Sequence, residues 1–259
     1  MKIMIKLSYY YDGKSHSYDD IKNIIEKGIQ KNIENPDERT SLTLKLVEGK
    51  KILDVGCAAG DLSKKLADKG FLVHAIDVLG ESIKIAKEFF NSPNITYEVR
   101  DILKNPFEEK SFDCITFLET IEHVENPAVF FKTFHRILSD NGHLIISTPN
   151  STSLKNMLYA LSYRKKLKQK QVIKEISEEQ LNTGTHIEHI YNWDFPTLVR
   201  LLDRSGFDVV ENEFARSGPI VIPILGKKVQ IIKVNSKILN GFSSLKTTLI
   251  MKARKKPTI

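Results

Sequence analysis

Apolar positions follow a helical rhythm at the start of the chain and an alternating strand–helix rhythm further on. "SYDDIKNIIEKGIQKNIE" puts Ile21, Ile24, Ile25 and Ile29 on one face at helical spacing. "NPDE" then predicts a second helix start, with Asn35 as cap, Pro36 in the first turn, and Asp37 and Glu38 at the positive end of the dipole. Both helices precede the first strong strand, so residues 1–49 are expected to form a brace or lid. From Lys51 the runs "KILDV", "FLVHAID", "ITYEVRD", "FDCITFLE" and "HLIISTPN" predict strands. Between them "DLSKKLADKG", closed by Gly70, "ESIKIAKEFF" and "PAVFFKTFHRILSDNG" predict helices. Strands separated by helices build an α/β fold, a parallel sheet covered on both faces.

After Asn150 the rhythm breaks. "LKNMLYALSYRKKLKQKQVIKEISEEQL" is helical in pattern and basic in its middle, an expected insertion over about 151–182. "DFPTLVRLLDRSG" predicts another helix and "FDVVENEF" a strand. A C-terminal insertion over about 216–245 holds the apolar "PIVIPILG" and a polar helical or irregular piece, ahead of a final strand near "TTLIMKA". No internal repeat or linker divides the chain, so residues 50–259 are expected to form one domain with two insertions.

A length of 259 residues suits such a domain. The net charge of +7 permits a nucleic-acid or anionic-membrane partner without requiring one, since lysine-rich surfaces also serve solubility. The two cysteines, Cys57 and Cys114, form no C-x-x-C pair and sit in apolar, strand-like surroundings, which points to a reducing cytosol. The first twenty residues hold no signal-peptide pattern, and no window approaches eighteen apolar residues. The expectation is a cytoplasmic protein without a transmembrane segment.

Ligands of an open parallel sheet bind outside the carboxyl ends of its strands. "LDVGCAAGD" lies at such an end, where Gly56 and Gly60 permit close backbone approach. Asp54 is placed to contact a cationic amine. Asp77 ends the second strand, where a carboxylate accepts both hydroxyls of a ribose. Asp101 ends the third, within reach of an adenine amino group. Cys57, Val78, Ile102 and Leu118 border the same strand ends. Acids that merely cap helices of a generic nucleotide fold are the plainer reading. Three of them in register favour a nucleoside site.

A second cluster lies in "TFLETIEHVENP". On a helical turn Glu119, Glu122 and His123 share one face. Carboxylates alone suit Mg²⁺, and an added imidazole shifts preference toward Mn²⁺, Fe²⁺ or Zn²⁺. "GTHIEHIYNW" supplies His186 and His189 as further ligands. Without metal, Glu119 would border the cofactor, and His123, His186 or His189 would serve as general base.

These motifs resemble the class I S-adenosylmethionine-dependent methyltransferases, in the broad group that includes ubiquinone-biosynthesis O-methyltransferases. The resemblance runs from about Lys50 to Asn150 and resumes at "HIYNWDFPTLVRLLDRSGFDVV", with Ala59 where many members carry glycine. It implies a Rossmann-like seven-stranded sheet with an antiparallel last strand. It also implies S-adenosylmethionine as cofactor and a hydroxyl of a small molecule as acceptor, with a divalent metal (Mg²⁺ or Mn²⁺) as a further option. Small-RNA 2′-O-methyltransferases carry a similar Glu-x-x-Glu-His, followed by a histidine ahead of an aromatic and a tryptophan, which maps to His189. The ubiquinone enzymes' later Gly-Thr-His maps to His186.

RNA is therefore the alternative acceptor. The basic "YRKKLKQKQ" would track phosphates, whereas "PIVIPILG" would line a pocket for a lipid-like acceptor. A non-catalytic binding scaffold is a third reading. A nicotinamide dehydrogenase is disfavoured by Asp61 where the third glycine of its loop would fall, and by the lack of a Tyr-x-x-x-Lys after the middle strands.

Overall fold

The computed structural model describes residues 37–154, 156–157, 189–215, 220–224, 227–232 and 246–257. The expected helix at Ile21–Ile29, the basic stretch "YRKKLKQKQ" and His186 lie outside them.

The first described helix, α1 (Glu38–Leu46), is capped by Asp37, whose side chain accepts the Thr40 N–H at 2.7 Å. This corrects the expected cap at Asn35. A carboxylate one residue before the helix reaches its third N–H, which Asn35 is two residues too early to do.

There follow β1 (Lys51–Val55), α2 (Asp61–Asp68), β2 (Leu72–Asp77), α3 (Gly80–Phe89), β3 (Ile95–Val99) and β4 (Phe112–Leu118). Gly70 closes α2 at φ +91, its N–H on Ala67 O while Phe71 N–H returns to Leu66 O.

α4 (Pro127–Ile137) is shorter than its pattern suggested, and β5 (Leu138–Pro149) absorbs "LSDNG" as extended chain. Leu138 is backbone-extended and pairs with Phe112, after which the register shifts so that Cys114 faces His143. Strand pairing here overrides the turn-forming residues.

The chain ends with α5 (Phe195–Arg204), β6 (Phe207–Ala215), β7 (Ile220–Ile224), β8 (Lys227–Ile232) and β9 (Thr248–Lys255). β7 and β8 pair antiparallel as a separate two-stranded ribbon. "PIVIPILG" thus supplies a strand, and the start of the piece expected to be helical or irregular supplies its partner.

The main sheet has the order β3-β2-β1-β4-β5-β9-β6. β1 to β5 run parallel, and β9 runs antiparallel to both β5 and β6. This is the expected seven-stranded Rossmann-like sheet.

Alternate residues of each strand feed two cores. Leu53, Ile115, Phe117, Ile146 and Met251 meet α4 and α5 on one face, where Phe117 lies 5.1 Å from Phe134 edge to face. Ile52, Cys114, Ile145 and Ile250 meet α1, α2 and α3 on the other. No described helix is long and apolar enough to cross a membrane.

The direction of crossover reverses between β1 and β4. The loops after these strands therefore part, and the crevice between them is where the fold receives a ligand.

Candidate functional site

The crevice is built from the bend after β1 inward. Gly56 N–H and Cys57 N–H both donate to Ile76 O, at 2.9 and 3.1 Å, folding the bend over the end of β2. Gly56 and Gly60 hold φ +73 and +89. A Cβ on Gly56 would sit 2.6 Å from Thr120 Oγ1, and one on Gly60 2.6 Å from Tyr97 Oη. Both glycines are thus required by backbone angle and by space. Ala58 also holds a left-handed φ of 48°, so the bend stores strain beside the crevice.

Asp77 explains how that strain is held. Its Oδ2 accepts Ala58 N–H at 3.0 Å and its Oδ1 accepts Leu79 N–H at 2.8 Å. Burial raises its pKa, and the backbone amides of Leu79, Ala58 and Val78 oppose that rise. Each oxygen keeps a lone pair, so the carboxylate can still accept hydroxyls from outside.

Asp54 lies deeper, 3% exposed. Its Oδ2 accepts the Ser63 hydroxyl at 2.6 Å and its Oδ1 the Thr116 hydroxyl at 2.8 Å. Burial pushes its pKa up to about 6; the two hydroxyls and Arg39 resist, while Asp77 adds to the rise. Asp54 therefore acts on the crevice as a buried charge beneath it.

Asp101 receives Leu103 N–H at 3.0 Å, and Lys104 Nζ lies 3.1 Å from its other oxygen, so its carboxylate caps its own loop. Val78 (65% exposed), Leu79 and Leu103 leave an apolar rim between these acids, with Ile102 buried behind. Cys57 is buried, and burial raises its thiol pKa, which leaves it unreactive.

The opposite wall begins where Leu118 ends β4. Glu119 takes a left-handed φ of 47°; its N–H donates to Ser147 O at 2.9 Å and its Oε1 accepts the Ser147 hydroxyl at 2.7 Å. The chain then enters a single 3₁₀ turn, Ile121–His123.

This turn drives Glu122 inward to 1% exposure. Its Oε2 accepts the Thr148 hydroxyl at 3.1 Å, while its Oε1 is buried without a hydrogen-bond partner among the described residues. His123 Nε2 stands 3.9 Å from that oxygen and His189 Nε2 4.0 Å. One ligand atom from each of the three residues falls within 4.8 Å of the others. His189 arrives from far along the chain because Ile190 N–H and Tyr191 N–H both donate to Glu122 O, at 2.7 and 3.2 Å.

The turn brings together Glu122, His123 and His189. Glu119 stands beside this group with its carboxylate on Ser147, because its left-handed backbone breaks the helical face the spacing predicted. Burial first, and the charge of Glu119 second, raise the Glu122 pKa to about 8. Burial raises that of Glu119, against the pull of Arg39. Burial and the neighbouring His123 lower that of His189.

A buried orphan carboxylate oxygen facing two imidazole nitrogens, too far for hydrogen bonds, is a donor set into which a divalent cation fits.

Arg39, in the first turn of α1, escaped the sequence reading. Its charge acts on Asp54, Glu119 and Glu122 together, so α1 brings a cation within electrostatic reach of acids on both walls of the crevice. Its only sequence signal was a basic residue just after a helix cap. The hydroxyls of Ser63, Thr116, Ser147 and Thr148 were equally silent, since serine and threonine at strand and helix positions carry no chemistry until a buried acid faces them.

A sequence model of the family described as "Methyltransferase domain" matches residues 29–212. A ubiquinone biosynthesis O-methyltransferase of Coxiella burnetii is 31% identical over 190 residues, 69% of this chain and 76% of that protein. One from Glaesserella parasuis is 38% identical over 117 residues, 42% of this chain; the match spans 50% of that relative's length. The fold is shared with an S-adenosylmethionine-dependent methyltransferase from Mesorhizobium loti, with TM-score 0.56 and 19% identity over 82% of this chain and 96% of that one. Sheet order, glycine bend, strand-end acids and the matched span agree, and the chain belongs to the class I S-adenosylmethionine-dependent methyltransferase family.

Proposed function

We propose that this chain transfers the methyl group of S-adenosylmethionine to a hydroxyl oxygen of a small molecule, with a divalent cation held by Glu122, His123 and His189. The observation that carries the reading is the buried Glu122 Oε1, without a hydrogen-bond partner among the described residues and 3.9 and 4.0 Å from the two imidazole nitrogens. A nitrogen acceptor would need no such cluster. The names of the ubiquinone biosynthesis relatives support a small-molecule acceptor over RNA.

The chain's own residues divide the work. Asp77 offers its free lone pairs to the ribose hydroxyls, and the rim of Val78, Leu79 and Leu103 takes the adenine face, with Asp101 and Ile102 at its edge. The bend of Gly56 to Gly60 lets the methionine part approach the backbone. Asp54 lies beneath its ammonium, and Arg39 receives its carboxylate.

The sulfonium methyl is already activated, so the site must present an acceptor oxygen in line at roughly 3 Å. When bound, the cation would lower the pKa of the acceptor hydroxyl and fix its oxygen. One carboxylate with two imidazoles favours Mn²⁺ over Mg²⁺. With the cation bound, the Nε2 lone pairs of His123 and His189 are committed to it and the acceptor proton leaves to solvent; without the cation, either imidazole, facing the same space, would take that proton.

The test is methyl transfer from labelled S-adenosylmethionine to catechol, a diol probe. The expected result is turnover with Mn²⁺, loss in EDTA and recovery on adding Mn²⁺ back. Full turnover in EDTA would overturn the metal part of the reading, and no transfer under any condition would overturn a diol acceptor.

A further inference from the structure

The residue after β5, Asn150, is 1% exposed and is hydrogen-bonded through both its backbone and its side chain. Its N–H donates to Thr247 O at 2.7 Å, and its side-chain amide donates to Lys246 O at 3.1 Å. Its side-chain oxygen accepts Thr152 N–H at 3.1 Å and the Thr152 hydroxyl at 2.8 Å. Its backbone oxygen accepts Asn156 Nδ2 at 2.7 Å. It also forms a parallel bridge with Trp193, and Ser151 N–H donates to Trp193 O at 3.0 Å.

One side chain thus ties together the end of β5, the start of the insertion and the approach to β9. Aspartate has the shape but lacks the donor for Lys246 O, and serine cannot reach both sides.

The bridge to Trp193 matters because of what lies four residues earlier. Trp193 is buried in the α4–α5 core, and Tyr191, between it and His189, donates its hydroxyl to Glu125 O at 2.9 Å. Ile190 and Tyr191 donate their N–H groups to Glu122 O. The segment 189–193 is therefore pinned at one end to the residue bearing the orphan carboxylate and at the other to Asn150. Lys246 extends the same tie toward the donor side, since its Nζ lies 2.8 Å from Glu38 Oε1, next to Arg39 on α1.

We propose that Asn150 is a positioning residue: it sets the register of segment 189–193, and so the placement of His189 against Glu122. The inference rests on the reading of Glu122, His123 and His189 as one site. It is stated about a backbone register that can be measured without metal, donor or acceptor.

The test is amide hydrogen exchange by NMR on the unliganded protein, comparing wild type with Asn150→Asp. Gly56 and Cys57, whose amides bond to Ile76 O at the other end of the crevice, serve as internal controls. Protection of the Ile190 and Tyr191 amides is expected to fall at least tenfold, roughly the loss of one to two hydrogen bonds, while Gly56 and Cys57 keep theirs. Unchanged protection at Ile190, or an equal fall at all four amides, would overturn the inference, the second because it marks a general loss of stability.

If Asn150→Asp does not fold, Asn156→Ala removes one bond to the same hub and is read identically, with a fall of about fivefold at Ile190 alone.

A second readout connects the register to the site. Mn²⁺ affinity is measured for Asn150→Asp, His189→Ala and the double variant. If Asn150 acts through His189, the double variant binds no more weakly than His189→Ala, whereas additive losses contradict the proposal. Should wild type bind no Mn²⁺, the metal reading fails, and the exchange pattern still decides the role of Asn150.

Discussion

Glu122 Oε1 lies 4.0 Å from His189 Nε2 although 67 positions separate the two residues, and neither atom gives the other a hydrogen bond. Burying a carboxylate to 1% exposure while leaving one oxygen unpaired is destabilising unless something else satisfies it. On the proposed reading, that partner is a cation shared with the imidazoles. Calorimetric titration of Mn²⁺ should show a single site. Glu122→Gln and His189→Ala should each weaken it by roughly 10- to 100-fold or more, since losing even an outer partner of a metal ligand has that effect. Equal affinity in all three proteins would remove the metal from the account.

The unliganded protein should also lose stability as pH rises, with Asp54 and Glu122 contributing over overlapping ranges and the raised pKa values of Asp77 and Glu119 acting in the same sense. Asp54 ordinarily titrates at 3.8 and in the fold at about 6. The native state therefore holds a proton that the unfolded chain releases. The associated stability is present below 3.8 and is lost as pH rises through about 6, a change on the order of 3 kcal/mol. Glu122 does the same from 4.5 through about 8. The depressed pKa values of His135, His143 and His189 act in the opposite sense toward low pH, so the difference between variant and wild type is the readout. In thermal melts Asp54→Asn should flatten the lower part of this fall and Glu122→Gln the upper part, and Mn²⁺ should raise the melting temperature of wild type most above the upper part. A Glu122→Gln curve parallel to wild type through about pH 8 would contradict the burial argument.

The glycine bend gives a steric prediction. Gly60 holds φ +89, and an added Cβ would sit 2.6 Å from Tyr97 Oη and 3.0 Å from Ala86 Cβ. Gly60→Ala should destabilise by about 1–3 kcal/mol in chemical denaturation, through strain and overlap together. Adding Tyr97→Phe removes the nearest atom and should recover part of that loss. No recovery in the double variant would place the cost outside the Tyr97 hydroxyl, in the backbone angle and the contact with Ala86.

Much of this is legible in the sequence, and the rest depends on contacts that no local pattern encodes. The strand-end acids and glycines could be read because each sits at a sharp change from apolar run to polar loop. The meeting of His189 with Glu122 depends on two amides reaching one carbonyl across the fold, which no local spacing encodes. Nor could the sequence say that Glu119 would turn away: a non-glycine residue at φ 47° looks like any other glutamate in a one-dimensional pattern. "LSDNG" misled for the opposite reason, since its turn-forming residues signal a stop, yet pairing of Leu138 with Phe112 draws it into the sheet. Arg39 was invisible because its importance lies in three acids that come later in the chain.

On the proposed reading, the crevice between β1 and β4 holds S-adenosylmethionine, with Asp77 on its ribose and Arg39 on its carboxylate. The direct measurement is calorimetric binding of S-adenosylmethionine to wild type, Asp77→Ala and Arg39→Ala. Wild type is expected to bind, with a loss on the order of 10- to 100-fold in each variant, the worth of one or two hydrogen bonds to a charged group. Asp77→Ala binding the nucleoside as tightly as wild type would contradict this reading.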